Sequence, residues 1–174
     1  MLFLDNQLNQ FLYHLRTEPM VKFFLITTWL GKWWVVFILA AVFSLWLWQK
    51  KEKIKILCLW LALIGAEASA FLGKIIFAQP RPELAVYTET SPSFPSAHAV
   101  SAMVFYGFLV WVFWPKTKNL AQKFTLLASG LFIILFIGFS RLYLGVHYLS
   151  DVLAGYLVGL IWLIMSFYIN KLLT

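Results

Sequence analysis

The stretch SRLYLGVHYLSDVLAG, residues 140–155, links two long apolar runs and yet carries an Arg, a His and an Asp. An ionised side chain costs roughly 2.5–3.5 kcal/mol at the middle of a membrane-spanning helix and less near its ends. If the flanking runs lie in lipid, three such groups between them mark the depth at which function is to be sought.

The composition supports the premise. Of 174 residues, 62% are hydrophobic, 19% aromatic and only 12% charged, where a soluble domain has about a quarter of its residues charged. The sequence therefore predicts an all-α integral membrane protein with one helical bundle. Five spans are expected, at 33–48, 54–78, 97–114, 124–139 and 149–169, against about 20 residues needed to cross the hydrocarbon core. The shortest gain reach from aromatic ends, WW at 33–34 and WVFW at 111–114, which suit the membrane interface. There is no internal repeat and no low-complexity segment.

Residues 1–32 form a separate N-terminal amphipathic segment ahead of a transmembrane domain at 33–174. Leu4, Leu8, Phe11, Leu12 and Leu15 recur at helical spacing while Asp5, Asn6, Gln7, Asn9 and Gln10 face elsewhere. Pro19 breaks this helix, and VKFFLITTWLG then runs to Lys32. The second piece is either half of an interfacial hairpin or the start of a long tilted first span. The N-terminus lacks the features of a cleavable signal peptide, so insertion is expected to rely on the spans themselves. Cys58 has no partner cysteine and gives no disulfide framework.

The formal charge of +7 raises the question of nucleic acid, but the basic residues cluster in loops. QKKEKIK at 49–55 and PKTKNLAQK at 115–123 hold seven lysines between them, and Lys171 follows the last span. These loops and the C-terminus are expected in the cytoplasm of a multi-pass protein, with no nucleic-acid partner. The N-terminus and the 79–96 and 140–148 loops then share the outer face.

Three polar clusters meet that face: Lys74 with Arg81 and Pro82; Ser96, Ala97 and His98; and Arg141, His147 and Asp151. One at a time, the basic residues read as side chains snorkelling to headgroups. As a set on one face they point to an anionic ligand. His147 and Asp151 are four apart and share a helix face, so the Asp can hold the Nδ1 proton and leave Nε2 free as a nucleophile. Ser96–His98 follow Pro95 at a helix start, where N–H groups favour phosphate. Lys74, Arg81 and Arg141 suit its oxygens.

This pattern resembles the type 2 phosphatidic acid phosphatase family, membrane lipid phosphatases that share their site with vanadium haloperoxidases. The family signature is Lys, six residues, Arg-Pro; then Pro-Ser-Gly-His; then Ser-Arg, five residues, His, three residues, Asp. It is met by Lys74 with Arg81-Pro82, by Pro95-Ser96-Ala97-His98 and by Ser140-Arg141 with His147 and Asp151. Ala97 stands where the family has Gly, and the family core has six spans where five are read here. The resemblance implies His147 as nucleophile, Asp151 as its partner and His98 as general acid and base. Lys74, Arg81, Ser96, the Ala97 N–H and Arg141 would bind the phosphate, with no cofactor and no metal.

The implied substrate is a lipid phosphate or diphosphate in the bilayer, met at the periplasmic face of a bacterial inner membrane. Undecaprenyl diphosphate, phosphatidate or phosphatidylglycerol phosphate, and a lipid A phosphate all fit. ELAVYTETSPS, residues 83–93, is too short for a recognition domain and suggests a small headgroup. Glu67, two turns before Lys74 on the same face, either lines a substrate channel or is a protonated buried carboxyl. Two other classes remain: a non-catalytic phospholipid or anion transporter or binder, which needs the cations but not the His147–Asp151 pair, and a metalloenzyme using His98, His147 and Asp151.

Overall fold

The structure, a computed structural model, describes residues 2–174. It is a bundle of α-helices: α1 (Leu2–His14), α2 (Glu18–Thr27), α3 (Trp33–Gln49), α4 (Lys53–Phe77), α5 (Ala97–Phe113), α6 (Leu120–Tyr143) and α7 (Leu149–Leu173). A 3-10 turn at Thr28–Gly31 extends α2, and another at Trp114–Lys116 extends α5. Helix α5 is apolar on every face and sits at the centre, packed on α3, α4, α6 and α7. Leu47, Leu59, Leu63, Val104, Phe108 and Ile137 are buried in the main core. Large apolar side chains such as Ile64, Phe132, Leu157 and Ile164 point outward, which places hydrocarbon rather than water around the bundle.

Helices α4 to α7, with the Trp114–Lys116 turn extending α5, are long and apolar enough to cross a membrane. Helix α2 with its 3-10 turn and α3 meet the same test together, bent by 50° at Lys32. The span expected at 33–48 coincides with α3, and the bent pair as a whole has the form of a broken span or a re-entrant turn. Pro19 lies in the first turn of α2, where its missing N–H costs nothing. The span expected at 124–139 is longer at both ends. It starts at Leu120, where the Asn119 side chain accepts the Gln122 N–H at 2.9 Å, and runs to Tyr143. Ser140 and Arg141, expected in a loop, are in its last turn. Hydropathy falls at these polar residues, but the helix continues because the Ser140 hydroxyl and both terminal nitrogens of Arg141 find hydrogen-bond partners.

Helix α1 buries two residues of its polar stripe, while Asn6, Gln7 and Gln10 stay exposed. Asp5 and Asn9 are buried with Leu12, whereas Leu4, Phe11 and Leu15 are exposed. Asp5 accepts the Ser150 N–H at 3.0 Å and the Ser150 hydroxyl at 2.8 Å, which caps the positive end of α7 from another helix. Leu8 and Leu12 of the apolar stripe pack against the bundle, and its outer residues Leu4, Phe11 and Leu15 face away from the protein, the arrangement a membrane surface favours.

Helix α1, the 78–96 loop and the 144–148 loop therefore gather at one end of the bundle. At the other end, Lys116 lies over Trp46 at 4.1 Å, Lys53 over Trp48 at 4.9 Å and Lys123 over Trp114 at 5.6 Å. Lysine on tryptophan at one level is the pattern of an interface belt.

Candidate active site

Two backbone features bring the three polar clusters together. First, α5 and α7 touch closely at Gly155: a Cβ there would lie 2.6 Å from the Ser96 carbonyl oxygen and 2.9 Å from the Ala99 Cβ. Small residues let membrane helices approach to backbone contact, and here the Ser96 N–H donates to the Asp151 carbonyl at 3.0 Å. The start of α5 is thereby locked to the first turn of α7. Second, Gly145 has φ +65, a left-handed turn that an L side chain resists. It ends α6 and lets the chain reach His147 within a few residues.

His147 is buried, with Nδ1 3.3 Å from Asp151 Oδ2 and Nε2 3.3 Å from Arg81 Nη1. An arginine nitrogen only donates, so Nε2 accepts and Nδ1 carries the proton toward Asp151. Asp151 is itself oriented by the Tyr148 N–H on Oδ2 at 2.8 Å and by the Gln79 amide on Oδ1 at 3.2 Å. Burial, then the charges of Arg141, Arg81 and Lys74, pushes the His147 imidazole well below its ordinary value of 6.5. The ring is neutral at physiological pH.

His147, His98, Lys74, Arg81 and Ala97 line one cavity of about 580 Å³. Lys74 donates to the Pro92 carbonyl, and Arg81 to the carbonyls of Ser91 and Val146, both at 2.8 Å. Ala97 begins α5 without positive φ, so a methyl in place of the family Gly is accepted at this backbone. Its N–H belongs to the first turn, where no intrahelical acceptor exists. The Ser96 N–H, expected free, is taken by Asp151. Ser96 Oγ, His98 Nε2 and Arg141 Nε are buried with no hydrogen-bond partner among the described residues, an unusual state that an oxyanion would relieve.

Arg141 is wholly buried. Its Nη1 donates to Tyr87 Oη at 2.7 Å and Thr28 Oγ1 at 3.1 Å, and its Nη2 meets Glu89 Oε1 at 2.8 Å. Glu89 Oε2 lies 2.6 Å from Arg81 Nη2. Burial raises the Glu89 carboxyl, but Arg141 and Arg81 outweigh it and hold the group below the ordinary carboxylate range. Glu89, Tyr87, Thr28 and Lys32, which also lines the cavity, escaped the sequence reading. The available signal was an acid placed between two basic motifs. Glu67 lies elsewhere: it accepts from the Ser101 hydroxyl between α4 and α5 and does not line this cavity. Among the described residues, no three His, Cys, Asp or Glu side chains come together as a metal-ligand set.

A multi-pass helical bundle that holds a neutral, carboxylate-backed histidine beside two arginines and a lysine at one membrane-facing end belongs to the class of phosphate-handling membrane proteins. Residues 55–174, which contain all three motifs, match the PAP2 superfamily, and the chain belongs to that superfamily. Phosphatidylglycerophosphatase B of Bacillus subtilis (strain 168) is 36% identical over 84 residues, 47% of this chain and 41% of that protein. The chain thus spans less than half of that relative's length. The crystal structure of a transmembrane PAP2-type phosphatidylglycerolphosphate phosphatase from Bacillus subtilis superposes with a TM-score of 0.89 at 22% identity, over 98% of this chain and 86% of that one. Aquifex aeolicus LpxE gives 0.76 at 26% identity over 95% of both chains. The fold is the one the three motifs implied.

Proposed function

We propose that this protein is a metal-independent lipid phosphatase that removes a terminal phosphate from a membrane lipid through a phosphohistidine. The observation that carries the reading is the orientation of His147. Asp151 holds its Nδ1 side while Nε2 points at Arg81 within a cavity lined by cations. A passive anion binder has no use for a buried imidazole with a fixed tautomer.

In this reading the His147 Nε2 lone pair attacks phosphorus in line and the bond to the lipid oxygen breaks. His98 protonates that oxygen as it leaves. His98 then takes a proton from water, whose oxygen attacks phosphorus. The P–N bond breaks, its electrons return to Nε2, and inorganic phosphate is released. Lys74, Arg81, Arg141, the Ser96 hydroxyl and the Ala97 N–H stabilise the equatorial oxygens. The name of the Bacillus relative favours phosphatidylglycerol phosphate among the candidate substrates, and the lysine belt at the far end favours a site on the outer face with the C-terminus in the cytoplasm.

Phosphate release by purified protein in detergent tests the proposal, with phosphatidate, phosphatidylglycerol phosphate, undecaprenyl diphosphate and a lipid A phosphate as substrates. Turnover that survives EDTA and is blocked by vanadate, which mimics the five-coordinate transition state, is expected. Turnover lost to EDTA and indifferent to vanadate, or no release from any substrate, would overturn it.

A further inference from the structure

The carboxylate of Glu89 spans the two arginines as a phosphate would, one oxygen on each, at 2.6 and 2.8 Å. We infer that Glu89 is a specificity-determining residue: a built-in monoanion that a doubly charged terminal phosphate displaces and that the singly charged phosphodiesters of the surrounding bilayer do not. The inference rests on the reading that this cavity receives the phosphate of a lipid.

The burial and exposure of the parts support exchange. Arg141 has no exposed side-chain surface and is pinned by Thr28 and Tyr87, so its guanidinium stays in place. The Glu89 side chain is 28% exposed and hangs on the 78–96 loop, which has no regular secondary structure at this point and exposes Thr88 and Thr90 on either side. The carboxylate is the member of the cluster that can leave. Its ionisation is secured by the same arginines, so it competes at every physiological pH.

The selectivity follows from charge. A site with two arginines beside membrane headgroups meets phosphodiesters far more often than phosphomonoesters. Exchanging one monoanion for another gains no charge and gives up two short ion pairs. Exchanging a monoanion for a dianion adds a full unit of charge between two guanidinium groups. A permanent strut between the arginines, with phosphate bound elsewhere in the cavity, is the competing account.

The test is a binding measurement on the full-length protein in non-ionic detergent, by isothermal titration calorimetry. The probes are a short-chain phosphatidate phosphonate, which is a non-hydrolysable dianion, and short-chain phosphatidylglycerol, a phosphodiester. Wild type should prefer the phosphonate. Glu89→Gln should tighten phosphatidylglycerol binding and shrink the preference by at least about tenfold. Glu89→Asp keeps the charge but lacks the reach to span both arginines, and carries the same test independently, with a smaller shift in the same direction. Unchanged preference in the folded variants, or equal weakening of both ligands as a strut would give, overturns the inference. Because the readout needs no turnover, the two readings separate. Lost preference in a protein that hydrolyses no lipid phosphate supports this inference and sinks the phosphatase. Phosphatase activity with preference intact does the reverse.

Discussion

Asp151→Asn isolates the charge of the carboxylate from its geometry. The Tyr148 N–H, 2.8 Å from Oδ2, requires an acceptor at that position, so the new amide is forced to place its oxygen there. That same oxygen faces His147 Nδ1, and the Nδ1–H tautomer survives. The new NH₂ would meet the Gln79 amide, now 3.2 Å from Oδ1, and a flip of Gln79 turns this clash into a hydrogen bond. What disappears is the negative charge beside a ring that turns cationic as Nε2 bonds to phosphorus. A unit charge pair at about 4 Å with an effective dielectric near 20 is worth about 4 kcal/mol, or about a thousandfold in kcat. The assay is phosphate release at saturating lipid phosphate, with affinity for inorganic phosphate measured in parallel and expected to change little because the cation cage is untouched. His147→Ala should abolish turnover outright. Asp151→Asn activity within about fivefold of wild type, far inside that estimate, would refute the charge argument, and residual turnover in His147→Ala above about a tenth of wild type would remove it as nucleophile.

The depressed His147 pKa carries two further expectations. In the proposed mechanism the nucleophile is the neutral imidazole, so the acid limb of the pH–rate profile should fall below pH 6.5. In the unfolded chain this histidine binds a proton as pH drops through its ordinary value, while the folded protein does not. Stability should therefore fall with pH below 6.5, at up to about 1.4 kcal/mol per pH unit, and melting curves should lose that slope in His147→Ala. Gly155→Ala should lower the melting temperature, by about 1–3 kcal/mol of stability, because the new methyl meets the Ser96 carbonyl at 2.6 Å. An unstrained helical Gly→Ala would raise it instead, so the sign is the test. In a Cys58→Ser background, a cysteine introduced at Thr88 should react with an impermeant maleimide in intact cells and one introduced at Thr117 should not. The opposite pattern would invert the topology.

Sequence pattern made the bundle and the gathering of the three polar motifs at one end legible for identifiable reasons. Long apolar runs have one solution in lipid, and the motif residues sit at span ends whose depths the runs define. Hydropathy failed where polar residues are hydrogen-bonded at the end of a helix, as at Ser140 and Arg141. It also failed where a polar stripe faces protein, as at Asp5 and Asn9, since the pattern marks two faces without saying which is solvated. Glu89 was hidden for a different reason. Nothing in ELAVYTETSPS indicates that the loop folds back over Arg81 and Arg141; that depends on Arg81 reaching Ser91, on Val86 donating to the Leu144 carbonyl at 3.0 Å and on Ser93 donating to the Gln79 carbonyl at 2.9 Å.

The N-terminal segment, distinct in sequence, takes part in the same charge balance. A buried arginine needs partners for its charge, and one of the partners of Arg141 is Thr28, from the turn that ends α2. Arg16 donates from Nε to the Tyr143 carbonyl at 2.7 Å and from Nη1 to the Leu84 carbonyl, tying the end of α6 to the loop that carries Glu89. Asp5 caps the helix that carries Asp151, and Trp29, Lys32 and Trp33 line the cavity at the bend before α3. Each motif residue would still be present without residues 1–32. Arg141 would keep only its loop partners, the loop would lose its Arg16 link to the end of α6, and the cavity would lose Thr28, Trp29 and Lys32 from its lining. The segment that carries none of the signature thus completes the cavity that the three motifs line.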